Sequence, residues 1–290
     1  MTASVRINAR KCQKLGVRLK PVRVLPDPSI RRARTSDEKR REAEFWLYVI
    51  AMCQATRTLQ GYISGEWLRG GDYLLAACRR RFDSDQEFFT ANRMKSIRED
   101  GLKALLSDDG NTDRSTIDRV AERVGLLRDC ARVLLERFYG DIMVIYNVSE
   151  GYLIRRDGKG LINLLKNFRA YSDPVAKKSF LLLLYLNESR IWKIGDLENL
   201  KIAVDYHIMR IALRTGIVNL VDNALASKLM QRKRVKQSED NEVREAVREA
   251  CSLLSKYSGH NAFEIDTMLW NMGRSCCFYE HDPICDGKIC

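Results

Sequence analysis

The chain has 290 residues, 45% hydrophobic and 30% charged, which is enough apolar surface to bury one large core or two adjoining ones and excludes wholesale disorder. Its formal charge is +12, of which residues 1–41 carry +10, so the remaining body is close to neutral. No purely apolar run, neither Phe45 to Cys53 nor Phe180 to Leu186, approaches the roughly 20 residues needed to cross a bilayer, and the chain is expected to have no membrane partner.

Five prolines, 17 glycines and apolar residues recurring at helical spacing predict an all-α protein. Three segments are expected: a basic N-terminal arm (1–41), a helical domain (42–272) and a cysteine-rich tail (273–290). The stretch from Met1 to Pro26 has no acidic residue. It reads as a nucleic-acid arm, a transit peptide or a soluble tail. Phe45–Cys53 is a continuous apolar segment and predicts a buried helix. Gly61, Gly65, Gly70 and Gly71 then interrupt the pattern. Between and beside them, Gln54, Trp67 and Tyr73 could line a pocket, or form an ordinary turn with surface aromatics.

Asn111–Thr112–Asp113 offers an N-cap to a helix with an apolar stripe from Ile117 to Leu134. Leu161, Leu164, Leu165 and Phe168 mark another helix. Asp173–Pro174 then predicts a cap with proline at the first helical position of Val175–Leu186. Together these make a tight helical hairpin. Asp205 can cap Tyr206–Arg214, which Gly216 ends, and Ile217–Met230 is expected to continue as helix. Val243, Val247, Ala250 and Leu254 mark one more.

Lys177 and Lys178 lie at the positive end of a helix dipole and beside each other, two effects that oppose protonation. An amine so placed is a candidate nucleophile, and solvated lysines are the plain alternative. Asp205, by the same local logic, is a cap or a catalytic carboxylate.

Val204–Asp205–Tyr206–His207, followed by Arg210 and Arg214, resembles the V-D-T-H-x-x-R segment of the helix-hairpin-helix DNA glycosylases. The segment Ser172–Asp173–Pro174–Val175–Ala176–Lys177–Lys178–Ser179 resembles the hairpin that carries the lysine of that family, with Pro174 and Ala176 where the family has glycines. Gly273–Arg274–Ser275–Cys276–Cys277 and Pro283–Ile284–Cys285 resemble its iron–sulfur loop.

The resemblance implies a two-lobed glycosylase-type fold with the active site between the lobes, Lys178 as nucleophile and Asp205 as its carboxylate. It implies base-excision repair by a DNA glycosylase and AP lyase, with Lys177, Ser179, Arg210 and Arg214 binding DNA and Gln54, Trp67 and Tyr73 receiving the base. It further implies a [4Fe–4S] cluster on Cys276, Cys277, Cys285 and Cys290, with zinc or free thiols as alternatives. The expected partner is damaged double-stranded DNA, bound by a monomer in the cytoplasm or nucleoid. Two alternatives remain open: a catalytically inactive nucleic-acid-binding protein of the same fold, or an N-glycosidase acting on RNA or a nucleoside.

Overall fold

The computed structural model describes residues 4–24, 30–107, 111–275 and 277. The described chain is mostly helical, with two short two-stranded antiparallel sheets. Strand β1 (Val5–Ile7) leads into α1 (Ala9–Leu19), where Asn8 caps the first turn by accepting the Lys11 amide at 3.0 Å. Helix α2 (Ser36–Met52) opens on a capping box: Thr35 accepts the Glu38 amide at 3.2 Å while the Glu38 carboxylate accepts the Thr35 amide. The glycine cluster makes a hairpin of β2 (Gln60–Ile63) and β3 (Glu66–Arg69). Helices α3 (Gly70–Ser84), α4 (Ala91–Met94), α5 (Glu99–Leu105), α6 (Val120–Arg137), α7 (Met143–Ser149) and α8 (Leu161–Leu165) follow. After α9 (Lys177–Glu188) come α10 (Tyr206–Arg214), β4 (Val218–Leu220), α11 (Asn223–Met230), α12 (Gln237–Ser258) and α13 (Ala262–Ser275). Among the described residues, no helix is long and apolar enough to cross a membrane.

Several boundaries differ from the sequence expectation. Asn111 caps only a single 3-10 turn, Thr112–Arg114, and the long helix begins at Val120. The expected hairpin opens out: α8 is one and a half turns long, and eleven residues with a 3-10 turn at Arg169–Tyr171 separate it from α9. Pro174 lies in a turn before α9 and is not its first helical residue. The segment after Gly216 starts as strand β4, because its edge pairs with β1.

The chain divides into two compact units. The first is Met1–Asp27, Pro174–Phe180 and Leu197–Cys290, and the second is Pro28–Asp173 and Leu181–Asp196. In the first, β1 runs antiparallel to β4, pairing Val5 with Leu220 and Ile7 with Val218. Cys12, Gly16 and Leu19, spaced i, i+4, i+7, are the buried stripe of α1, which packs on α12. Residues 4–24 are therefore a folded strand and helix, with their cations on the outer face. Val204, Ile208, Ile211, Val247, Leu254 and Leu269 form the centre of this core.

The second unit is organised by α2, in which every residue from Glu42 to Met52 is buried. Trp46 stacks on Tyr185 with ring centroids 4.1 Å apart. Arg79 pairs with the buried Glu42 through bonds of 2.7 and 2.5 Å and lies 3.9 Å from the Phe45 ring. Arg123 is fully buried, its guanidinium donating to the Met52 carbonyl and to Asp118. Trp192 packs in this interior, parallel to Tyr146 at 5.6 Å.

Candidate functional site

In the first unit, Asp205 is the N-cap of α10, as its sequence position predicts: Oδ1 accepts the Ile208 amide at 2.9 Å. Its other oxygen, Oδ2, has no hydrogen bond among the described residues, and the side chain is only half-buried. The peptide leading into it is fixed on both sides. The Ala203 amide donates to Oδ2 of the buried Asp266 on α13 at 2.6 Å, and the Val204 carbonyl accepts from Arg244 on α12.

Around Asp205 lies a layer of rings and cations. Tyr206 is exposed and its ring centroid is 4.1 Å from that of His207, which in turn meets Trp270 edge-on at 6.5 Å. The Arg274 guanidinium lies 4.5 Å from the Trp270 ring. Gly273 admits the imidazole: a Cβ there would stand 2.9 Å from His207 Cβ. Burial pushes the His207 pKa down from its ordinary value; the Arg210 and Arg274 cations push the same way, against Asp205 and the Gly273 carbonyl. The shift favours the neutral imidazole.

Arg210 and Arg214 turn inward. Arg210 Nε donates to the Cys277 carbonyl at 2.8 Å, and its Nη2 donates to the Gly273 carbonyl at 2.8 Å and lies 3.0 Å from His207 Nδ1. Arg214 Nη1 donates to Cys277 Sγ at 3.2 Å. The two arginines are 8% and 2% exposed, so they brace the end of α13 and present no guanidinium to a phosphate backbone.

Lys177 and Lys178, both half-buried, occupy the first turn of α9, and Ser179 after them is fully buried. The turn before them places Ala176 at φ +48°, a region that favours glycine. The Val175 carbonyl in that turn accepts from Arg248 of α12. Lys178 and Asp205 thus lie in one compact unit, each on a segment bonded to α12. Sequence reasoning passed over Arg244 and Arg248. Their signal was available in two cations four residues apart, each next to an apolar stripe position, Val243 or Val247.

The three expected base-pocket residues belong to the second unit. Gln54 Nε2 lies 3.4 Å from Glu122 Oε1. Trp67 is half exposed on β3, edge-on to the equally exposed Tyr62 at 4.9 Å. Tyr73 is buried beneath Gly61 and offers no face to a base. Of the four expected metal ligands, Cys276, Cys285 and Cys290 lie outside the described residues, and Cys277 is buried against Arg214. Among the described residues no group of three His, Cys, Asp or Glu side chains could hold a metal ion.

The family model described as queuosine salvage protein matches residues 51–282, about four-fifths of the chain. No curated protein matches the chain. The family match overturns the resemblance to helix-hairpin-helix DNA glycosylases, and with it base-excision repair and AP lyase activity. Short motifs around a capping Asp and a helix-opening Lys recur between families, whereas a match over 51–282 takes in most of both units. The chain belongs to the queuosine salvage protein family.

Proposed function

We propose that this protein is an N-glycosidase of queuosine salvage, releasing the modified base queuine from a nucleoside or an RNA-derived substrate. The observation that carries this reading is the state of Asp205. One oxygen is spent on the α10 cap, the other has no hydrogen bond among the described residues, and the carboxylate is half-buried beside aromatic rings.

The chemistry requires such a group. Queuine is a 7-deazaguanine and has no N7 to protonate, so leaving-group activation at that position is closed. Cleavage then leans on stabilising the sugar as the bond from C1′ to the base nitrogen breaks, the electron pair leaving with the base. Positive charge develops on C1′ and the ring oxygen, and a fixed carboxylate facing it is worth most in a site shielded from water. Water adds to C1′, one of its protons is lost, and the departing base nitrogen takes up a proton. Burial disfavours a charged His207 beside Asp205, and a neutral imidazole adds no cation to oppose the developing charge. Tyr206 and Trp270 offer ring faces to a planar base. In this reading Asp205 carries the reaction and Lys178 orients the sugar against it in the transition state, the reverse of the emphasis that amine-nucleophile chemistry demands.

Asparagine caps a helix as well as aspartate does, which separates the two roles of this side chain. Asp205→Asn is expected to keep the melting temperature and to lower kcat for queuine release by on the order of a hundredfold or more. Free base liberated from queuosine, followed by chromatography, is the measurement. Full activity in the Asn variant, or no release by the unmodified protein, would exclude the assignment.

A further inference from the structure

We propose that Arg244 and Arg248 are positioning residues: successive turns of α12 hold the Asp205 and Lys178 segments by their backbone carbonyls and so set the two groups relative to each other. What the two groups do rests on the function proposed above; that they are held rests on the contacts alone.

Each arginine reaches the segment at its critical point. Arg244 donates to the carbonyl of Val204, immediately before Asp205, and is itself anchored by Asp240 through Nε at 2.7 Å. Arg248 donates to the carbonyl of Val175, immediately before Ala176, while its Nη1 reaches Glu245 at 3.1 Å and its guanidinium lies 5.6 Å from the Phe180 ring. The side chains are 18% and 13% exposed, so both bonds are charge-assisted and largely shielded from water. Four residues separate the arginines, which places them about 6 Å apart along one face of the helix.

The Lys178 segment needs such a hold more than its partner. Ala176 sits at φ +48°, a conformation that a residue with a Cβ keeps only where its surroundings over-determine it. Arg248 grips the peptide entering that residue. The Asp205 segment has a second restraint, the Ala203 amide on Asp266, and is expected to depend less on its arginine.

Two amides report the segments without reference to activity. The Phe180 amide bonds the Ala176 carbonyl at 3.0 Å, and the Ile208 amide bonds Asp205 Oδ1 at 2.9 Å. Hydrogen exchange on the full chain is expected to accelerate at least tenfold at Phe180 in Arg248→Ala, with Ile208 unchanged. Arg244→Ala should show the converse pattern with a smaller change. For queuine release, each alanine variant should lower kcat severalfold with KM within a factor of two, and Arg→Lys at either position, which keeps a donor, should recover part of the loss. Ala176→Gly in the Arg248→Ala background should also recover kcat, because glycine holds the turn unaided. Unchanged exchange at both amides in the two alanine variants overturns the proposal. So does a loss of melting temperature with kcat per folded molecule intact. Should the unmodified protein release no queuine, the functional reading fails, and the exchange pattern alone decides whether the arginines position these segments.

Discussion

Glu44 shows how burial on α2 turns a carboxyl group into a pH-sensitive element. Only 2% of it is exposed, and burial raises its pKa to about 8; Arg40 opposes the shift, and the carboxylates of Asp141 and Glu87 add to it. Between its ordinary value of 4.5 and about 8, the folded protein holds a proton here that the unfolded chain has lost. The sign follows: stability is fully present below 4.5 and falls as pH rises through that window, by at most about 1.4 kcal/mol per pH unit from this group. Glu44→Gln is expected to flatten the dependence and to be the more stable protein at pH 9, as urea titrations at pH 5, 7 and 9 would measure. At the same scale, the cap role of Asp205 was legible because its partner, the Ile208 amide, is three residues away. The inward turn of Arg210 and Arg214 was not, because their partners, Gly273 and Cys277, lie more than sixty residues further along. Charge can be counted in a sequence, but the direction in which a cation points depends on the surface it meets.

Helices that carry their own boundary signals are those the sequence places well. Helix α2 follows from the apolar run at Phe45, and α10 from Asp205. Helix α6 starts later than its apolar stripe suggests, since Arg119 before it takes φ +49° and Ile117 lies outside the helix. Helix α1 is the clearest case of an element settled by packing. Its Gly16 sits so close to α12 that an added Cβ would meet Tyr257 Cβ at 2.7 Å and the Leu254 carbonyl oxygen at 3.2 Å. A backbone atom cannot rotate away, so the two helices would have to separate. Gly16→Ala is expected to cost about 1–3 kcal/mol, the range for overpacking a filled contact, read from denaturant unfolding with an unchanged m value.

For the whole molecule, the basic N-terminal segment changes meaning once its fold is known. Residues 4–24 hold seven Lys and Arg and no acidic residue, and all seven cations are exposed. Beneath them the same residues supply the partner of β4 and a cover for α12. A detachable arm could be removed without consequence; this segment could not. Deleting residues 1–24 is expected to lower the melting temperature by several degrees and to broaden the transition measured by far-UV circular dichroism, because Val218 and Leu254 lose cover. A deletion that melts like the full chain would show that the first unit stands without β1 and α1.

The sequence by itself determined the helical class, the capped start of α10 and the absence of any membrane-length apolar run, all of which follow from interactions spanning a few residues. Three short motifs did not determine the family, because a cap, a helix-opening lysine and adjacent cysteines are local solutions that unrelated chains share. Only the tertiary structure decided which cations are buried braces, that Tyr73 lies under a hairpin, and that α12 grips the peptides entering Ala176 and Asp205. Burial and long-range hydrogen bonds are properties of surfaces brought together by folding, and no local pattern encodes the partner a surface will meet.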